Sequence, residues 1–383
     1  MKIAVFHNLP DGGGKRILLG LAPELIKRGI NLDFYTYPES IQTLSQSPLL
    51  SKSSCNFYPI KWLEFPSSVK YINLLLGGGY EKLFQQLSEK IDRSNYDWVL
   101  VGGDRIAQAP ILLKYLKTKK IYLAHELKRE FYERTEWKTI QRVKQKLWKI
   151  LTQKTKRVER ESLRATNLII ANSLFSKTNF KRVIGTSYRV EVINPFINKL
   201  FLEGGHSNFT ERKGYLSVGR FSYLKGFDLL IKAFSILRNK KEATLTIAGY
   251  RGTDKTKLVF LARKLDVNVR FFEQVTDNDL KNLYSKTKTF LYFPRNEPFG
   301  LSIIEALSMG CKAIAVNEGG FSEIVQGAKN CTLIPRDVNT IARFVEKDIE
   351  NKEYQKDPAF LSLIKNKLSV KSYVDSLLSL IYA

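Results

Sequence analysis

Cysteine is scarce. Three residues in 383, Cys55, Cys311 and Cys331, lie far apart with no CxxC spacing. Such an odd, scattered set argues against a disulfide scaffold or a zinc site and fits a reducing compartment. Histidine is equally sparse, with only His7, His125 and His206 to build a metal centre. No stretch approaches the ~18 uncharged apolar residues of a membrane-spanning helix. The opening segment Met1–His7 has the pattern of a buried strand and lacks the longer apolar core and cleavage site of a secretory leader, so a cytoplasmic setting is expected. Acidic residues are also in deficit, with 37 Asp and Glu against 62 Lys and Arg, a net charge of +25. The imbalance is uneven: 34 basic to 17 acidic residues through position 200, then 28 to 20. A surface of this kind attracts nucleic acid, anionic lipid headgroups or phosphorylated ligands, and charge alone does not choose among them.

What remains is ordinary for a globular protein: 44% hydrophobic and 26% charged residues. The length exceeds one domain of ~100–200 residues, so two are expected. Short apolar, β-branched runs alternate with helical periodicity throughout. The strand candidates are Lys2–His7, Asn31–Thr36, Asp97–Val101, Lys120–Ala124, Asn167–Ala171 and Arg189–Ile193, then Tyr215–Val218, Ala243–Ala248, Asn268–Phe272, Thr289–Phe293, Lys312–Val316 and Cys331–Ile334. Between the first two, Ile17, Leu18, Leu21, Leu25 and Ile26 line one helical face, with Pro23 inside it and Gly29 as its stop. Strand–helix alternation predicts an α/β protein with parallel sheets and crossover helices. The pattern restarts after a polar stretch, Asn198 to Lys213, which places domains at 1–197 and 198–368. Two Rossmann-like domains of this type are expected to face an interdomain cleft at the carboxyl ends of their strands.

Three constellations carry chemistry. Asn8 to Lys15 includes Gly12, Gly13 and Gly14 between the first strand and first helix. It departs from both the dinucleotide fingerprint and the Walker A loop, leaving a plain turn or an anion cradle at a helix start. Gly219-Arg220-Phe221-Ser222-Tyr223-Leu224-Lys225-Gly226 follows a strand and presents two cations, either to solvent or to phosphate oxygens. Glu297-Pro298-Phe299-Gly300-Leu301-Ser302-Ile303-Ile304-Glu305 sets two carboxylates on a loop and on the helix that starts near Gly300. Backbone amides at that helix start form an anion site, and Glu305 is expected about two turns in.

These residues resemble the family 4 retaining glycosyltransferases of GT-B fold (glycosyl transferases group 1), which transfer sugars from nucleotide-sugar donors. The likeness rests on Glu297…Glu305, on Gly219-Arg220…Lys225-Gly226 and on Gly319-Gly320-Phe321-Ser322-Glu323-Ile324-Val325. Weaker agreements are the glycine-rich first loop, Ala171-Asn172-Ser173 and Ile193-Asn194-Pro195; Pro294-Arg295 departs from the usual proline–serine. The resemblance implies that Arg220 and Lys225 hold the donor diphosphate and that Glu305 binds ribose hydroxyls. Glu297 would hold hexose hydroxyls, Phe299, Gly300 and Leu301 would present amides to sugar or phosphate, and Gly13 and Gly14 would line the donor. It makes His125 an acceptor-side catalytic residue and packs a C-terminal helix, about 369–383, back on the first domain. It implies a nucleotide sugar as donor, a saccharide or lipid-linked acceptor, and neither metal nor other cofactor.

Other features admit two readings. Asp277-Asn278-Asp279 is a metal-binding triplet in a different glycosyltransferase fold, but here it also suits the cap of a helix over Leu280–Lys286. Trp137–Val158 holds eight Lys and Arg and no acid, with Ile140, Val143, Leu147, Ile150 and Leu151 at helical spacing. It is either a helix packed on its own domain or a peripheral contact with an anionic membrane surface. A basic nucleic-acid-binding protein is the rival from another class, although no RNP, zinc-finger or recognition-helix pattern is present. A nucleotide-sugar epimerase of related fold is the second rival.

Overall fold

The computed structural model describes residues 1–8, 13–36, 55–60, 79–104, 108–132, 142–202, 209–238, 240, 243–250, 252–351, 353–354 and 357–383. The chain divides into two compact units, Met1–Asn194 with Val374–Ala383, and Pro195–Tyr373.

Among its described residues the first unit holds seven strands: β1 Lys2–Asn8, β2 Asn31–Thr36, β3 Asn56–Pro59, β4 Trp98–Asp104, β5 Lys120–Ala124, β6 Leu168–Ala171 and β7 Val190–Val192. They are ordered β3-β2-β1-β4-β5-β6-β7, and every pairing is parallel. β4 to β6 are buried along almost their whole length, as apolar runs covered on both faces require. The helix Gly13–Lys27 continues through Pro23 and buries Ile17, Leu18, Leu21 and Leu25. It ends in a Schellman pair, Gly29 N to Ile26 O at 2.9 Å and Ile30 N to Leu25 O at 3.2 Å. β3 is the strand that periodicity did not predict. It is four residues long, ends in proline and sits at the sheet edge, where a missing donor is tolerated. Cross-strand stacking holds it, Phe57 on Phe34 at 5.5 Å and Tyr58 on Tyr35 at 4.7 Å, each pair contributing ~0.5–1.5 kcal/mol beyond burial.

The second unit repeats the scheme with β8 Lys213–Val218, β9 Leu245–Gly249, β10 Val269–Glu273, β11 Thr287–Tyr292, β12 Lys312–Val316 and β13 Cys331–Ile334. Their order is β10-β9-β8-β11-β12-β13, again all parallel. Each sheet reverses its winding beside its first strand, between β1 and β4 and between β8 and β11. In open parallel sheets this switch point, at the carboxyl ends of the strands, is where ligands bind. The loops after β8 and β11 carry the predicted cations and carboxylates, so strand order alone brings them together.

Two features fell differently from expectation. The basic helix, expected over 137–158, is described over Arg142–Arg164 and so continues past Val158, residues 137–141 lying outside the described residues. The apolar set Ile140, Val143, Leu147, Ile150 and Leu151 lies outside the residues whose side chains are described. Farther along, Thr155, Glu159, Ser162 and Leu163 are buried, while Lys154, Arg157, Arg160 and Arg164 are exposed, so that half packs one face on its own unit. The helix expected over Leu280–Lys286 begins at Asp277, because Thr276 forms a capping box with Asp279.

Candidate functional site

In the second unit the loop after β8 is pinned before it presents its charges. Gly219 N donates to Ala248 O at 3.0 Å and Phe221 N to Tyr250 O at 3.3 Å. The Phe221 ring is fully buried near Phe227 and Phe271. Arg220, between these anchors, is exposed. A short 3-10 turn, Tyr223–Lys225, leads into Gly226 and the helix Phe227–Ser235. Gly226 is left-handed, with φ of 68°, and a Cβ there would lie 2.0 Å from Phe293 O. Only glycine lets the β8 and β11 loops approach so closely.

That approach joins the predicted pair: Lys225 Nζ lies 2.7 Å from Glu297 Oε2, both side chains being less than a quarter exposed. Arg295, the departure from the family pattern, is a second tie between the same loops. Its N donates to Leu224 O at 2.8 Å, and its guanidinium lies 3.9 Å over the Tyr223 ring and 3.6 Å from Asp228.

Gly300 caps the helix Leu301–Ser308 without a side-chain acceptor, so the first-turn amides at Leu301 and Ser302 are not satisfied by a capping side chain. Phe299 is buried. Glu305 is the fifth residue of this helix, nearer one turn in than two, and is only 6% exposed. Tyr284 donates to its Oε2 at 3.1 Å. Burial, then the nearby Glu305 charge, hold the Tyr284 hydroxyl far above its ordinary range, so it stays a donor.

Of the possible metal-binding pair, Asp279 accepts from Thr276 N and Oγ1, and Asp277 accepts from Asn198 Nδ2 at 3.0 Å. No group of three or more His, Cys, Asp or Glu suited to a metal occurs among the described residues.

In the first unit, Gly12 lies outside the described residues, whereas Gly13 and Gly14 open the helix Gly13–Lys27. A Cβ on Gly14 would come within 2.8 Å of His125 Cδ2 and 2.9 Å of Nε2, so the missing side chain is what admits the imidazole. Burial pushes the His125 pKa down to about 4, leaving the ring neutral at pH 7. Its Nε2 is buried and has no hydrogen-bond partner among the described residues. Its carbonyl accepts from Asn172 Nδ2 at 3.1 Å, and the Asn172 carbonyl accepts from Asn194 Nδ2 at 2.9 Å. The weaker motif agreements therefore have a physical role: two asparagines tie the ends of β5, β6 and β7. His7 is fully buried with Nε2 3.2 Å from Thr36 Oγ1.

Several neighbours escaped sequence reasoning. Asp104, at the end of β4, accepts from Asn8 Nδ2 at 2.5 Å and from Tyr80 OH, bracing the start of the glycine-rich loop. Its signal was Gly102-Gly103-Asp104 at a strand end. Glu159 is 1% exposed and accepts from Lys128 N at 3.4 Å, just beyond His125. Burial pushes its carboxyl up to about 7.

With this geometry in place, likenesses to known proteins become specific. Residues 11–199 match the family described as Glycosyltransferase Family 4, and residues 202–359 that described as Glycosyl transferases group 1. O-antigen chain mannosyltransferase B of Escherichia coli is 28% identical over 148 residues, 37% of this chain and 39% of that protein. The chain spans between about a quarter and two fifths of the first curated relatives it matches. Sucrose-phosphate synthase from Thermosynechococcus elongatus has the same fold, with a TM-score of 0.76 at 17% identity over 99% of this chain and 98% of that one. Anabaena Alr3699/HepE in complex with UDP and glucose matches at 0.72 and 17% identity over the full length of both. Two parallel-sheet units of switch-point topology, the charged loops of the second, and family matches along most of the length agree: the chain belongs to the family 4 glycosyltransferases and has the GT-B fold.

Proposed function

We propose that the protein is a retaining glycosyltransferase. It moves a hexosyl group from a nucleotide-diphosphate sugar to a hydroxyl acceptor in cell-surface polysaccharide or glycolipid synthesis. The observation that carries this reading is the Lys225–Glu297 pair at the β8–β11 switch point. Breaking a glycosyl–phosphate bond builds negative charge on the departing diphosphate. Lys225, Arg220 and the amides at the start of Leu301–Ser308 supply fixed positive charge to oppose it. Glu297 orients the ammonium and meets hexose hydroxyls, while Glu305, fixed by Tyr284, meets the ribose. Gly13 and Gly14 approach the donor without side chains, and neutral His125 serves the acceptor side, where a departing phosphate oxygen helps take the acceptor proton. Relatives named as mannosyltransferases, and a structural neighbour solved with UDP and glucose, support a nucleotide-sugar donor.

A panel of UDP- and GDP-sugars tests this reading. Turnover of at least one donor is expected, with retained anomeric configuration and undiminished in EDTA, because protein cations already serve the diphosphate. Inversion would remove the retaining mechanism. Complete loss in EDTA, restored by manganese or magnesium, would return the diphosphate role to Asp277 and Asp279.

No helix among the described residues is long and apolar enough to cross a membrane. The proposed setting is the cytoplasmic face of a membrane, with the protein held peripherally by the basic helix Arg142–Arg164 and an acceptor that is lipid-linked or membrane-associated. Lys154, Arg157, Arg160 and Arg164 are exposed on it, and each basic residue near an anionic bilayer contributes up to ~1 kcal/mol. The protein is expected to sediment with anionic but not neutral liposomes. Binding should weaken as salt rises, since exposed charges are screened over ~10 Å at 0.1 M. Changing Lys144, Lys146 and Lys149 to Glu should abolish it. Equal sedimentation in every case removes the membrane claim and leaves the transfer reaction untouched.

A further inference from the structure

Arg336 follows β13, yet its guanidinium reaches the loop after β11, two strands away. Nη1 donates to Phe293 O at 2.7 Å and Nη2 to Pro294 O. Those carbonyls open the segment that ends at Glu297. On its other side the guanidinium meets Glu318, from the loop after β12, with Nε to Oε1 at 3.1 Å and Nη2 to Oε2 at 2.6 Å. From that same loop, Gly320 N donates to Glu297 O at 2.8 Å. The planar fork of arginine suits this arrangement, bidentate to a carboxylate on one edge and bonded to two carbonyls on the other. A lysine has one nitrogen and cannot span both carbonyls and both carboxylate oxygens. The Arg336 side chain is 16% exposed and that of Glu318 38%, so the guanidinium is sheltered while its carboxylate partner faces solvent.

We infer that Arg336, oriented by Glu318, is a positioning residue for the proposed transfer: it sets the Phe293–Glu297 segment and thereby the placement of Glu297 against Lys225. This rests on the donor-site reading above. Arg336 acts through Glu297, so its contribution disappears when Glu297 is absent.

The test measures kcat and KM for the accepted nucleotide sugar, and calorimetric Kd for UDP and GDP, in Arg336→Ala, Arg336→Lys and Glu318→Gln. Each is made alone and in a Glu297→Ala background. Misplacing a reacting group by about 1 Å costs up to ~100-fold, so a loss on the order of 30-fold in kcat/KM is expected for Arg336→Ala. The lysine variant should recover only a minor part. In the Glu297→Ala background the further loss should be below ~2-fold, because coupled groups are not additive. The Kd of the nucleoside diphosphate that binds should stay within ~3-fold in the single variants, since Arg220, Lys225 and Glu305 are retained. Equal losses in both backgrounds, or losses that merely track the folded fraction, overturn the inference. If Arg336→Ala does not fold, the lysine and Glu318→Gln variants decide by the same comparison. A wild-type protein that neither turns over a nucleotide sugar nor binds UDP or GDP overturns the donor reading, and this inference with it.

Discussion

Lys225→Ala and Glu297→Ala are each expected to lower glycosyl transfer at least ~100-fold, about 2.7 kcal/mol of transition-state stabilisation. The size follows from what the two groups share. Lys225 is held with its ammonium 2.7 Å from Glu297, and both are largely sheltered from water, so its charge is fixed before the reaction and less screened than a surface lysine. Removing the ammonium deletes charge that opposes the departing diphosphate. Removing the carboxylate deletes a hexose contact and also frees the lysine from its fixed position. The two losses should therefore not add: the double variant is expected close to the worse single one. Steady-state kcat/KM on an identified donor reads this directly, and near-normal turnover in both single variants would show that the pair does not serve the chemistry.

Gly226→Ala is expected to do more damage to the fold than any single charge change in the site, costing more than ~3 kcal/mol in unfolding free energy. The residue has φ of 68°, and its added methyl would sit 2.0 Å from Phe293 O. Relief requires the β11 loop to withdraw, which would break the contacts holding Lys225 beside Glu297. Gly29 supplies the control. It is also left-handed, at φ of 75°, but a Cβ there meets nothing within 4 Å, so Gly29→Ala should show only the backbone cost of ~1–2 kcal/mol. Denaturant midpoints compare the two. A Gly226→Ala protein as stable as Gly29→Ala would mean that the loop approach is looser than the geometry states.

Much of this was visible in the amino-acid order. Lys120–Ala124 and Lys312–Val316 were expected as strands and are strands over those same residues, because strands covered on both faces announce themselves as apolar runs; the edge strand Cys331–Ile334, only partly buried, was also expected with the same bounds. The E-x7-E segment was visible because loop and helix start lie within ten residues. What stayed hidden depends on partners distant in sequence. Asp104 meets Asn8 across 96 positions, and Arg336 meets Phe293 across 43; Asp104 has only Gly102-Gly103-Asp104 at a strand end as a local signal and Arg336 has none, and both contacts exist only once strand order is set. β3 was invisible for the opposite reason: its pattern is local but too short, and Pro59 argues against a strand anywhere but at an edge.

The asparagine ladder of the first unit has a mechanical meaning. Asn194 is the last residue before the chain passes into the second unit at Pro195, and its side chain grips Asn172, which in turn grips the His125 carbonyl. At the same crossing Ile193 N donates to Ala171 O at 3.1 Å, so a pull on the chain there is shared between backbone pairing and two side-chain hydrogen bonds of ~1 kcal/mol each. The ladder therefore ties the backbone at this boundary to the His125 carbonyl, alongside the pairing of β5, β6 and β7.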